Sequence, residues 1–212
     1  MTTRERYSAV LSWFEANAVS DKSELNYSNP FELLVAVMLS AQCTDKRVNQ
    51  VTPALFAAYP DAAAMARATE TDILRYISSV SYPNSKAKHL KATAEMLVRD
   101  FGGCVPDSLE LLTSLPGVGR KTANVLMAVL WNKPAMAVDT HIFRVSNRIG
   151  LTRNSPSPLQ TEKTLTRYIP ASLIPKAHHW LLLHGRYICQ ARKPKCEKCG
   201  ITAYCETFKR NS

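Results

Sequence analysis

Lys121 closes the segment Leu115-Pro-Gly-Val-Gly-Arg-Lys121, and a second apolar run leaves it, from Thr122 to about Trp131. Leu109, Leu111, Leu112 and Leu115 lead up to it, after an Asp107 cap with Glu110 three residues on. The pattern predicts helix, tight Gly-Pro turn, helix. Gly117 and Gly119 let the backbone come close to another molecule. With Val118 they offer amide N–H groups, and at a helix start such donors favour phosphate. Lys121 falls in the first turn, where the positive end of the helix dipole disfavours an ammonium. A lysine so placed is a candidate nucleophilic amine. From this heptapeptide alone, phosphate binding ranks ahead of an ordinary surface lysine, and catalysis ranks behind both.

A second cluster of reactive side chains lies near the end of the chain. Cys189, Cys196, Cys199 and Cys205 are spaced C-x6-C-x2-C-x5-C. Four thiols in one short loop read as a metal site. Spacing leaves zinc and an iron–sulfur cluster equal, with unpaired thiols third. Between the first two cysteines, Arg192, Lys193 and Lys195 make a basic loop, either a phosphate contact or simply solvated. Cys43 and Cys104 read as buried or half-buried small apolar groups. Asp139 stands before Thr140-His-Ile-Phe-Arg-Val145 and is the natural cap of a helix ending at Gly150.

The elements that must carry these groups are helical. Tyr7, Val10, Leu11 and Phe14 mark one face of a helix over residues 3–18. Asn29-Pro-Phe-Glu32 starts a helix whose body, Leu33 to Leu39, is apolar all round and therefore central. It ends in the polar stretch Ser40-Ala-Gln-Cys-Thr-Asp45. Thr44 and Asp45 then cap a helix with Val48, Val51 and Leu55 inside. Asp61 opens an Ala-rich helix, and Thr69 with Asp72 another, through Ile77. Ser81-Tyr-Pro-Asn84 reads as a break before an amphipathic helix over 86–101 that Gly102 and Gly103 close. Ser157-Pro158 begins one more, and Pro175 begins the last, through His184 to Cys189. No stretch alternates with period two for long enough to be a strand. The expected class is all-α.

Composition narrows the partner. Over 212 residues the net charge is +10, an excess that points to a polyanion, nucleic acid before an acidic membrane surface. No apolar run is of transmembrane length and Met1-Thr-Thr-Arg-Glu-Arg6 lacks a signal-peptide core, so a cytoplasmic, reducing environment is expected. A monomer that needs no membrane is the default.

Taken together and in order, the Lys121 segment, Val138-Asp-Thr-His-Ile-Phe-Arg-Val145 and the cysteine tail resemble the endonuclease III family. Phe31-Glu-Leu-Leu, Leu39-Ser-Ala-Gln42, Asn84-Ser-Lys-Ala-Lys88 and His178-His-Trp-Leu…His184-Gly-Arg-Tyr187 extend the likeness over nearly the whole chain. The resemblance implies a helix-hairpin-helix DNA glycosylase fold. Residues 23–134 would form a six-helix lobe, and residues 1–22 with 135–212 a lobe holding a [4Fe-4S] cluster on the four cysteines. It implies removal of oxidised pyrimidines from duplex DNA, with the nucleotide flipped out into a pocket between the lobes. Lys121 would attack C1′, form a Schiff base and break the strand 3′ to the abasic site by β-elimination, in a desolvated setting that favours the free amine. Asp139 would assist Lys121 or stabilise the cationic sugar. Gln42 would fill the hole left by the nucleotide. Tyr82 or Pro83 would wedge the duplex where many relatives carry a leucine-type residue. Gly117, Val118 and Gly119 would hold a phosphate, with a monovalent cation on the turn carbonyls. His141 is either a DNA contact or a packed histidine, while His178 and His179 read as packing and surface residues. The rivals are an adenine-type monofunctional glycosylase, whose relatives usually lack a lysine at the position of Lys121, and a non-catalytic DNA-binding module with a zinc loop.

Overall fold

The computed structural model describes every residue except Val19, Asp21 and Ser212, with the side chain of Asn211 also outside the description. The described residues form helices and turns, with no strand among them. The chain folds as two compact units, Ser23–Trp131 and the pair Met1–Lys22 with Asn132–Ser212.

The first unit is built around α2 (Pro30–Leu39). Asn29 caps it by accepting from the Glu32 amide, and Pro30 occupies a first-turn position where a missing N–H costs nothing. Its eight residues from Phe31 on, Glu32 apart, are buried, so the all-round apolar pattern does mark a central helix. Each fully buried leucine, such as Leu33 or Leu34, contributes roughly 2 kcal/mol. Around α2 lie α3 (Asp45–Ala58), α4 (Ala62–Arg67), α5 (Glu70–Ile77), α6 (Pro83–Phe101), α7 (Leu109–Ser114) and α8 (Arg120–Trp131). Thr44, Asp61 and Thr69 cap the three that follow α2, the last in a reciprocal capping box with Asp72. Leu55, Met65, Ile73, Leu90, Leu97, Leu112 and Leu126 complete the core.

The second unit packs α1 (Thr3–Asn17) with α9 (Thr140–Ile149), α10 (Pro158–Tyr168), α11 (Ile174–Tyr187) and α12 (Glu206–Asn211). Tyr7, Val10, Leu11 and Phe14 are the buried face of α1. Phe14 stacks on Trp180 at 6.0 Å between ring centroids and meets His184 edge-on at 5.4 Å. Burial pushes the His184 imidazole down to about 4, so the ring is neutral in the core.

Several elements depart from the expectations of the sequence. α6 begins at Pro83, not at Lys86, because Pro83 is its first residue and Tyr82 its N-cap. Ser108 rather than Asp107 caps α7, a shift of one residue that turns Leu112 fully inward. The helix expected from Pro175 to Cys189 runs from Ile174 to Tyr187, and α12 was not anticipated by the sequence pattern. Cys104 is exposed, whereas Cys43 is half-buried. His178 and His179 are both buried, their rings edge to face at 5.0 Å, so neither is a surface residue.

Candidate active site and cluster loop

In the unit Ser23–Trp131 the hairpin is set by packing on both sides of its turn. Leu112, Leu115 and Val118 are buried anchors. The Val118 N–H donates to the Leu115 carbonyl at 3.1 Å, so that amide is committed to the turn and not offered to a phosphate. The amides that open α8 lie at a helix start, where an anion is favoured. Thr93 Oγ1 donates to the Pro116 carbonyl at 2.7 Å. The Leu115 and Pro116 carbonyls thus take one donor each and keep a second lone pair, the kind of ligand a monovalent cation would use.

Gly117 has φ +77, and a Cβ there would lie 2.8 Å from the His89 side chain. Both facts make glycine obligatory at that position. A Cβ at Gly119 would meet nothing within 4 Å, so internal packing does not require glycine there. Lys121 is the second residue of α8 and its side chain is exposed. The dry setting expected for its amine is therefore not supplied by the free protein.

Gln42 and Tyr82 stand on the same unit, both in the left-handed region, at φ 53 and φ 55. Tyr82 is 65% exposed, whereas Pro83 is half-buried as the first residue of α6. Gln42, Tyr82, Lys86, His89 and Gly117 line one recess of about 210 Å³. Gln42, Tyr82 and the hairpin glycine Gly117 therefore share a single concavity, which Pro83 does not line.

In the second unit Asp139 is the N-cap of α9, and its Oδ1 accepts from the amides of His141 (2.9 Å) and Ile142 (2.8 Å). His141 packs against Gly185, where a Cβ would approach its own Cβ to 2.8 Å. Arg144 Nη2 lies 3.2 Å from His141 Nδ1. A guanidinium can only donate, so Nδ1 accepts and the proton of the neutral ring sits on Nε2. His141 is thus a half-buried, partnered histidine.

The four cysteines are each partly buried. Burial raises the thiol of Cys199, and the other three cysteines raise it further; burial with Cys189 and Cys205 does the same at Cys196. The sulfurs are thus close enough to feel one another's charge. Among the described residues no three His, Cys, Asp or Glu converge tightly enough to hold a single ion. Arg148 fastens the loop, donating to the carbonyls of Gln190 (2.7 Å) and Ala191 (2.8 Å) and approaching Cys189 Sγ at 3.6 Å. His184 Nε2 lies 3.7 Å from Cys199 Sγ. Arg192, Lys193 and Lys195 are exposed on the same loop. Cysteine count and spacing could not reveal Arg148 or His184, because both come from helices outside the loop.

This geometry has close counterparts among known proteins. Residues 35–171 match the family model of the HhH-GPD superfamily base excision DNA repair proteins. Endonuclease III of Rickettsia felis is 49% identical over 199 residues, covering 94% of this chain and 93% of that one. Endonuclease III of Escherichia coli K12 is 44% identical over 199 residues, 93% of each chain. A solved structure of a trapped endonuclease III–DNA covalent intermediate, an estranged-adenine complex, superposes with a TM-score of 0.93 at 39% identity, over 100% of this chain and 99% of the other. The chain belongs to the HhH-GPD superfamily and, within it, to the endonuclease III family.

Proposed function

We propose that this protein excises oxidised pyrimidines from duplex DNA and then cuts the strand, with Lys121 as the nucleophile. The class of activity follows from family membership: it is a base excision repair DNA glycosylase with abasic-site lyase activity, acting on duplex DNA. The observation that carries the assignment of Lys121 is its place, an exposed amine in the first turn of a helix entered through a glycine hairpin. A phosphate held at that helix start would bring the adjoining sugar to the amine. Lys121 would add to C1′ as the base leaves; loss of a C2′ proton from the resulting imine then expels the 3′ phosphate. Asp139 would stabilise the positive charge that develops on the sugar. His141 could touch the strand only through Nε2. Arg192, Lys193 and Lys195 would contact backbone phosphates, giving salt-dependent affinity without base preference.

The four cysteines fit a [4Fe-4S] cluster better than a single zinc. A lone ion needs its thiolates to converge on one point at about 2.3 Å, whereas a cluster takes each thiolate on a different iron. Four half-buried thiols on one short loop supply one ligand for each of four irons, the set implied by the resemblance to the endonuclease III family. Bound there, the cluster would pin the basic loop. A monovalent cation would sit on the spare lone pairs at Leu115 and Pro116. No described helix is long and apolar enough to cross a membrane; we place the protein with the chromosome, in the reducing cytoplasm of a bacterium.

Borohydride reduction on a duplex with one oxidised pyrimidine tests the mechanism. The intact protein should be trapped covalently on DNA, and Lys121→Gln should bind but not be trapped. Equal trapping by Lys121→Gln would transfer the role to another amine.

A further inference from the structure

The stretch Ser40–Cys43 and the start of α6 are tied together by bonds that neither the hairpin nor the candidate nucleophile uses. Lys86 is 8% exposed, a buried ammonium on α6. Its Nζ donates to the carbonyls of Leu39 and Ala41, both at 2.7 Å. Leu39 ends α2 and Ala41 follows its C-cap Ser40, where the chain runs out of intrahelical donors and a cation is favoured. Burial holds the Lys86 amine below its usual range, a cost that only a fixed set of acceptors offsets. Ser81 adds the second tie, its Oγ donating to the Gln42 carbonyl at 2.7 Å. These bonds bracket two residues in the left-handed region, Gln42 and Tyr82. Glutamine and tyrosine rarely adopt that conformation, and it persists only where the surroundings over-determine it.

We propose that Lys86 and Ser81 are positioning residues that lock Gln42 and Tyr82 into one rigid, two-pronged wedge, with the exposed Tyr82 ring as the prong that stacks in the duplex. Pro83 is not that prong, since its ring begins α6 and is half-buried. A planar ring can lie against a neighbouring base, and stacking of this kind tolerates any base. A rigid wedge matters for the same reason as any preorganised site. If Gln42 and Tyr82 had to find their geometry during base expulsion, the ordering cost would fall on that step. Lys86 touches no DNA in this scheme; it acts through the Leu39 and Ala41 carbonyls.

The proposal rests on the duplex-DNA reading above, and the test separates the two. Cleavage would be compared on an abasic site in a duplex and on the same abasic site in a single strand, where there is no helix to wedge open. A 2-aminopurine placed opposite the site would report stacking by its fluorescence. For Lys86→Met the duplex rate should fall roughly tenfold relative to the single-strand rate, the loss expected for a charged hydrogen-bonded tie. The 2-aminopurine change should shrink with it. Ser81→Ala should move both readouts in the same direction by less, and decides the matter if Lys86→Met does not fold. An unchanged ratio in both variants overturns the proposal. So does an equal fall on both substrates, which would make Lys86 a general support of its unit. Failure of the unaltered protein on both substrates would overturn the lyase reading instead.

Discussion

At the scale of single residues, Asp139 caps α9 and in the proposed mechanism also stabilises the cationic sugar, two roles that one substitution separates. Its Oδ1 accepts the first amides of α9, a task that asparagine performs as well as aspartate. Stabilising a cationic sugar, by contrast, needs the charge. Asp139→Asn should therefore leave the thermal midpoint nearly unchanged while single-turnover base release falls on the order of 10²-fold. Asp139→Ala should lose both, with about 1 kcal/mol of stability gone with the cap. An Asn variant with full activity would reduce Asp139 to a capping residue.

At the scale of elements, α6 does more than its amphipathic pattern announces. Tyr82, Lys86, His89 and Thr93 follow one another at intervals of four, three and four, the spacing of one helix face. From cap to third turn that face exposes the Tyr82 ring, ties Lys86 to the end of α2, packs His89 on Gly117 and bonds Thr93 to Pro116. Gly117→Ala should accordingly cost about 1–3 kcal/mol, from φ +77 and from the His89 contact together, and should weaken DNA binding. Adding His89→Ala should recover the steric part only, leaving the conformational part. Unfolding melts of the single and double variants measure the split; full recovery would show that φ is not the constraint. The sequence placed the body of α6 correctly and missed its first turn. Tyr82-Pro83 resembles an interruption because proline ends helices far more visibly than it begins them, and a left-handed tyrosine has no propensity signal.

At the scale of the molecule, the N-terminal helix is fastened to the far end of the chain. Arg6 is 5% exposed; its guanidinium donates to the carbonyls of Gly150 and Tyr204, both at 3.1 Å, and pairs with Glu206 at 2.6 Å. Glu206 follows Cys205 directly and covers Gly150, leaving no room for a Cβ there. Breaking a buried pair strands its partner, but Arg153 and Arg210 also reach Glu206, at 3.3 and 3.6 Å, and soften the loss. Arg6→Met should lower the thermal midpoint by roughly 4–8 °C, while Arg210→Met, at the exposed edge, should shift it little. If the cysteine loop holds iron as proposed, Arg6→Met should also shed its visible absorption faster under a chelator.

What the sequence determined by itself was local or compositional. Helix starts at Asn29, Thr69, Asp139 and Ser157 were legible because capping is a bond between neighbours. The hairpin and the cysteine tail were legible because their spacing is their chemistry, and the charge of +10 pointed to a polyanion before any fold was known. Only the tertiary structure decided which residues hold the site in shape. Ser81 meets Gln42 across 39 positions, Lys86 meets Leu39 across 47, and Arg6 meets Gly150 across 144. No periodicity encodes such pairs, since each arises when packing brings a distant backbone carbonyl within reach of a side-chain donor, buried in the case of Lys86 and Arg6.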